Sequence, residues 1–243
     1  MVSEKPIRAV IFDFDDTLVN TIAAIERARK VVFSRMSKLH KIDERAYEEA
    51  VKITSMEYDK LVKKQHNYEN KYFFYETLSK KTGLNFSRGE IEEYFDLFEN
   101  SLINDTELSI HLEEVIKRLS DAGIKLGILT GPALYPGIKK KRLERLPVMH
   151  LFDVIVIARE TIPEDKTKVS AFTKTAEMLG VPPNETLFVG DRPDIDIFNS
   201  KTAGMKAVLF TAYRKYPDWV GDLAPDYTIA DLKELIAIIG LKE

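Results

Sequence analysis

Several carboxylates, a lysine and a hydroxyl stand where apolar runs of this chain stop. The run Ile7–Phe14 breaks into Asp13, Asp15 and Asp16, with Thr17 behind them. Thr130 and Gly131 follow the run Ile124–Leu129, and Gly190 and Asp191 follow Thr186–Val189, with Asp194 and Asp196 close behind. The loop after Val154–Ile157 runs through Asp165 into Lys166. Singly, each has an ordinary explanation, because Asp favours turns and helix caps. Jointly they set several acids beside one ammonium. Two like unit charges about 4 Å apart repel by roughly 4 kcal/mol at an effective dielectric near 20. Such a cluster demands a cation, or a proton on one member.

The donor set points to a hard cation. The chain has no cysteine, and His40, His66, His111 and His150 lie away from the strand ends, which disfavours zinc. Magnesium uses one or two carboxylates and leaves positions for water and a phosphate oxygen. With Asp13 and Asp191 balancing Mg²⁺, a phosphate dianion would need Lys166, Thr130 and backbone N–H groups. Phosphoryl chemistry is the expectation.

Alternating strands and helices must position these residues. The patterning predicts a helix His111–Ala122, a strand Ile124–Leu129, a helix of about Tyr135–Leu146 and a strand Val154–Ile157. A helix from about Lys166 to Leu179, a strand Thr186–Val189, a helix of about Ile195–Ala203 and a strand Ala207–Phe210 follow. The short run Tyr227–Ile229 and a helix Asp231–Ile239 close the chain. This alternation means an α/β fold with a doubly wound, Rossmann-like parallel sheet. In such sheets ligands bind beyond the carboxyl ends of the strands, where these acids stand. Between Asn20 and Asp105 there is no strand pattern. Ile22, Ile25, Ala28, Val32 and Met36 recur at helical spacing, and later apolar residues continue it, with Ser87-Arg88-Gly89-Glu90 as a helix start. About four inserted helices are expected. The basic run Lys139-Lys140-Lys141-Arg142 reads as a solvated helix face.

Asp13-x-Asp15-x-Thr17, Thr130 after an apolar strand, Lys166, and Gly190-Asp191-x-x-x-x-Asp196 resemble, in this order, the four motifs of the haloacid dehalogenase-like hydrolase superfamily. The third departs from the family's frequent Lys-Pro pair, but Phe172, six residues beyond Lys166, matches its spacing and selects Lys166 over Lys168. Gly131 stands where the family often has Asn. The resemblance implies that Asp13 is a nucleophile forming an aspartyl-phosphate, and that Asp15 acts as general acid and base. It implies that Thr130 and Lys166 hold phosphoryl oxygens, with Gly131 beside them. Mg²⁺ would be bound by Asp13, Asp191 and the backbone carbonyl of Asp15. Asp196 and Asp194 would orient the metal waters or the lysine, and Thr17 would brace the loop.

The same resemblance makes the insert a helical cap domain, residues 19–105, on a catalytic core of residues 1–18 and 106–243. Asn20, Thr21, Arg27, Tyr68, Tyr72, Phe73 and Tyr75 are candidate substrate contacts, although rings at helical spacing read first as cap core. Loss of a halide needs no proton, so the second acid, Asp15, favours a phosphatase over a 2-haloacid dehalogenase. A small phosphorylated metabolite is the expected substrate: a sugar phosphate, a triose phosphate or phosphoglycolate. A phosphomutase would use the same residues. A phosphoreceiver-type switch would share the acids but is about half this length, without such an insert.

Composition narrows the partners. With 36 basic against 39 acidic residues the net charge is −3, which excludes a polybasic binder of nucleic acid or membrane surfaces. The absence of cysteine excludes a disulfide framework. No apolar stretch approaches the ~20 residues of a membrane span, and Ala9–Phe12 is too short for a secretion signal. A cytoplasmic monomer or homodimer is expected.

Overall fold

The residues Ala9–Phe12 (β1) are apolar and buried at all four positions, as a strand covered on both faces must be. In a computed structural model, which describes residues 6–65, 71–133, 137–215 and 223–241, five further strands join it. They are Lys125–Thr130 (β2), Val154–Ile157 (β3), Thr186–Gly190 (β4), Lys206–Phe210 (β5) and Tyr227–Ile229 (β6). All pair in parallel in the order β3-β2-β1-β4-β5-β6. The order reverses at β1, and this switch point is where an open sheet leaves a crevice for ligands. Register aligns the carboxyl ends: Phe12 stands opposite Ile128 on one side and Val189 on the other.

Contacts divide the chain into two compact units: Met1–Ile22, Thr106–Pro132 and Lys139–Glu243 form one, and Ala23–Asp105 with Ala133–Ile138 form the other. In the first, strand alternation sends Val10 and Phe12 to one face and Ala9 and Ile11 to the opposite face. Val115, Ile116 and Leu119 of helix α5 (Leu112–Asp121) share a core cluster with Val10 and Phe12. Phe172, Ala176 and Leu179 share the other with Ala9 and Ile11.

The helices of the insert are Thr21–His40 (α1), Glu44–Gln65 (α2), Lys71–Thr82 (α3) and Arg88–Asn104 (α4), as the spacing predicts. Val32, Met36, Tyr47, Leu78, Ile91 and Tyr94 form the core of the second unit. The expected start at Ser87 is a capping box. Its hydroxyl accepts from the Glu90 N–H at 3.3 Å, and the Glu90 carboxylate accepts from the Ser87 N–H at 2.8 Å. Among the described residues, no helix is long and apolar enough to cross a membrane.

Several boundaries depart from expectation, each for a local reason. The first strand is four residues rather than Ile7–Phe14, although Asp13 N–H extends its ladder to Val189 O. His111 lies just outside α5 in the left-handed region. The helix expected at Tyr135–Leu146 is Ile138–Leu143 (α6), and residues 134–136 lie outside those described. Lys166 precedes its helix, Val169–Leu179 (α7), because the Asp165 carboxylate accepts from the Thr167 N–H and hydroxyl at 2.9 and 2.8 Å and holds a turn there. A single π-helical turn, Pro193–Ile197, precedes Phe198–Thr202 (α8). The last helix, Glu234–Ile239 (α9), starts three residues later than expected, where the Glu234 carboxylate caps the N–H groups of Ala230 and Asp231.

Candidate active site

Asp13 is the residue after β1, and its N–H donates to Val189 O at 2.8 Å, so the sheet ladder fixes its backbone. Asp13, Asp191 and Asp196 are all buried, and each offers a carboxylate oxygen within 4.8 Å of the others. Lys166 Nζ lies 2.6 Å from Asp13 Oδ1 and 2.8 Å from Asp196 Oδ1. Lys168 is exposed, so geometry selects Lys166. Thr130, fully buried, ends β2 two residues beyond the partner of Phe12, and its hydroxyl donates to the Gly131 carbonyl at 3.3 Å.

The π-helical turn places Asp196. Its N–H and that of Ile197 both donate to Arg192 O, and its Oδ2 accepts from the Arg192 N–H at 3.0 Å. A Cβ on Gly190 would collide with this carboxyl group, which is why the strand must end in glycine. Asp194, by contrast, pairs with the Arg192 side chain, Nε to Oδ1 at 3.0 Å, near the surface. Thr17 is buried, and its backbone carbonyl accepts from the Ser109 hydroxyl at 2.6 Å.

Asp15 has cationic partners that the sequence reading missed. Its carboxylate accepts from Arg142 Nη1 at 2.6 Å, from the Thr21 hydroxyl at 2.8 Å and from Lys139 Nζ. Arg142 Nη2 reaches the Thr21 oxygen at 2.8 Å, and both cations stand over the Phe14 ring. The basic run is therefore not a uniformly solvated face. Lys140 and Lys141 are exposed, whereas Lys139 and Arg142, three apart on α6, are buried against Asp15. That i, i+3 spacing was the available signal.

A second missed pair lies behind the acids. Asp16 is buried at φ 55°, with Oδ1 accepting from the Ile22 N–H at 2.9 Å. Arg214, four residues beyond β5, donates through Nη2 to Asp16 Oδ2 at 2.8 Å and places Nε 3.2 Å from Asp191 Oδ2. The end of β5 lies on the same sheet edge as the other loops, and this topology was the signal.

The expected substrate contacts have other engagements. Asn20 donates its amide to Glu107 Oε1 at 2.9 Å, and Arg27 pairs with Asp105. Tyr72 donates to Glu92 at 2.8 Å, Tyr75 donates to the Tyr94 carbonyl within the second unit's core, and Phe73 is half-buried. Tyr68 lies outside the described residues.

The electrostatics divide the acids into two kinds. Burial pushes Asp13 up to about 7; Lys166 opposes this, and the charges of Asp196 and Asp15 add to it. Burial, then Asp13 and Asp196, push Asp191 up to about 8. Burial works against the Lys166 ammonium, but Asp13 and Asp196 outweigh it and hold its pKa above the usual lysine range. Burial would also raise Asp15, yet Lys139 and Arg142 hold it well below the usual carboxylate range. So Asp15 is a compensated carboxylate, whereas Asp13 and Asp191 are under-compensated. A buried, all-oxygen, under-compensated cluster fits a hard divalent cation.

The family profile described as haloacid dehalogenase-like hydrolase matches residues 10–210. The chain is 30% identical over 236 residues to a glyceraldehyde 3-phosphate phosphatase of Methanocaldococcus jannaschii, covering 96% of this chain and 97% of that protein. It is 25% identical over 242 residues to an N-acylneuraminate-9-phosphatase of Mus musculus, covering 96% and 94%. Its fold is similar to that of a Bacillus subtilis HAD-hydrolase, YfnB, whose crystal structure is described as bound to magnesium. The TM-score is 0.76 at 21% identity, covering 98% of this chain and all of that one.

Proposed function

The chain belongs to the haloacid dehalogenase-like hydrolase family, and on that footing we propose that it is a magnesium-dependent phosphatase of small phosphorylated metabolites working through Asp13. The observation that carries the reading is Lys166 Nζ at 2.6 Å from Asp13, in a buried cluster with Asp191 and Asp196. An ammonium at that place opposes the burial that raises Asp13, favouring its anionic, nucleophilic form, and can hold a phosphoryl oxygen during transfer.

Asp13 attacks phosphorus, and the substrate's alkoxide leaves. Water then attacks the aspartyl-phosphate, releasing phosphate and regenerating Asp13. Thr130 and Lys166 hold the phosphoryl oxygens, and Asp196 holds Lys166. Asp15, kept ionised by Lys139 and Arg142, is set to take the proton of the attacking water. The proton that the leaving alkoxide needs is matched by the one Asp15 takes from the attacking water, or by one from solvent, so each turnover consumes one water and releases the alcohol and phosphate. Asp13, Asp191 and the Asp15 backbone carbonyl would hold Mg²⁺, with Asp196 supporting from behind. A bound Mg²⁺ supplies positive charge against the phosphate and orients its oxygens.

The two relatives named above differ widely in the group that carries the phosphate, so similarity alone does not fix the substrate. The higher identity favours glyceraldehyde 3-phosphate or another triose phosphate. The inserted helical unit would act as the cap that selects the leaving group. The test is phosphate release from a panel of phosphorylated metabolites, with Mg²⁺ and with chelator. Release from a triose phosphate, abolished by chelation, is expected. Halide release from a 2-haloacid, transfer of phosphate within a sugar, or a long-lived phosphoprotein without turnover would each overturn the phosphatase reading.

A further inference from the structure

Arg214 approaches the acid cluster from the loop after β5. Its Nε and Nη2 donate to Asp16 Oδ2 at 3.0 and 2.8 Å, and the same Nε lies 3.2 Å from Asp191 Oδ2. Asp16 is itself fixed at both oxygens, since Oδ1 accepts from the Ile22 N–H at 2.9 Å. It does so at φ 55°, a left-handed conformation that costs most L-residues energy and that Asp accepts when its side chain finds local partners. A guanidinium is rigid and planar, so two N–H groups committed to Asp16 set the direction of the whole fork toward Asp191.

We propose that Arg214, anchored by Asp16, is a positioning residue for Asp191. It holds Oδ2 and so turns the other carboxylate oxygen toward the divalent cation. This rests on the reading of Asp13 and Asp191 as the cation's ligands. Charge alone predicts the opposite effect, because a guanidinium beside a ligand repels the metal. The negative charge of Asp16 cancels that of Arg214 locally, and the Arg214 side chain is 43% exposed, where its field is screened. Orientation is what the pair retains.

Calorimetric titration of the full-length protein with Mg²⁺ separates the two. Residues that orient a metal ligand change metal affinity by roughly 10–100-fold when removed. The dissociation constant should therefore rise at least about 10-fold in Arg214→Gln. A similar rise is expected in Asp16→Gly, which keeps the left-handed backbone without strain. The double variant should bind no worse than either single one, because each acts through the other. Arg214→Lys should not restore binding, because an ammonium cannot hold both carboxylates in one plane. An unchanged or lower dissociation constant in Arg214→Gln, even with a reduced melting temperature, would overturn the positioning role while leaving the metal site standing. A wild-type protein that bound no Mg²⁺ would overturn the site reading and this inference together.

Discussion

Gly190 and Asp196 occupy one space. A Cβ at position 190 would lie 2.6 Å from Asp196 Cβ and nearer still to its carboxyl group. The Gly190 backbone is not left-handed, so glycine stands there for closeness alone. Gly190→Ala must displace Asp196, and with it one of the two carboxylates that hold Lys166. The kcat/KM should fall at least about 10-fold, since small misplacements of a positioned group cost that much or more. In an Asp196→Gly background, which removes the Asp196 atoms the new Cβ would meet, the same change should cost almost nothing, and a steady-state double-mutant cycle checks this.

Asp13→Asn removes the proposed nucleophile and should reduce activity to background with every substrate. Asp15→Asn should behave differently. Because p-nitrophenolate leaves without a proton, the first step with p-nitrophenyl phosphate survives, while the second lacks its base. Stopped-flow traces should show a burst of about one nitrophenolate per active chain, then slow turnover. An alkyl phosphate should give no burst. The same profile for both substrates would refute the acid and base role of Asp15.

Arg142 and Arg8 make ion pairs of unequal worth. Arg142, 4% exposed in its side chain, pairs with Asp15, reaches Thr21 and stacks on Phe14. Arg8, 60% exposed, pairs with Glu185 at 2.9 Å. Urea unfolding should show Arg142→Met destabilised by about 3 kcal/mol, the cost of breaking a buried pair. Arg8→Met should lose less than about 1 kcal/mol. Equal losses would mean that the buried pair is as well solvated as the surface one.

The raised pKa values of Asp13 and Asp191 make the metal-free protein sensitive to alkali. Both rise from 3.8, to about 7 and about 8. A carboxyl group with a higher pKa folded than unfolded binds its proton more tightly when folded. Its contribution is complete below the unfolded value and is lost as pH rises through the folded one. In chelator the melting temperature should therefore fall as pH rises through 7 and 8, and saturating Mg²⁺ should flatten the slope. A melting temperature that rose with pH in chelator over this window would sink the prediction.

Asp13 and Asp191 were legible because each directly follows a strand, and strand ends are readable from apolar runs, whereas Lys166, well beyond the end of β3, was legible from its spacing to Phe172. The four helices of the insert were legible from their spacing. Lys139 was not, because a buried ammonium makes sense only beside its counter-charge, and Asp15 lies 124 residues earlier in the chain. Arg214 escaped for a related reason: its target, Asp16, is 198 residues away, and nothing near Arg214 in sequence marks it. The helix expected from Lys166 began three residues late because an Asp165 side chain competed with the helix for the Thr167 N–H.

The bond from Asp13 N–H to Val189 O has a consequence on the timescale of hydrogen exchange. An amide held by the central ladder of a six-stranded sheet opens only when the sheet itself opens, whereas amides in loops exchange through small local fluctuations. The Asp13 carboxylate is thus mounted on backbone that should be among the slowest to exchange, while Lys166 reaches it, and Arg214 reaches Asp191, from loops that should exchange faster. Heat or denaturant should loosen the hold on phosphate and metal before it moves the nucleophile. Partial loss of structure would then register first as weakened binding, with Asp13 still in place.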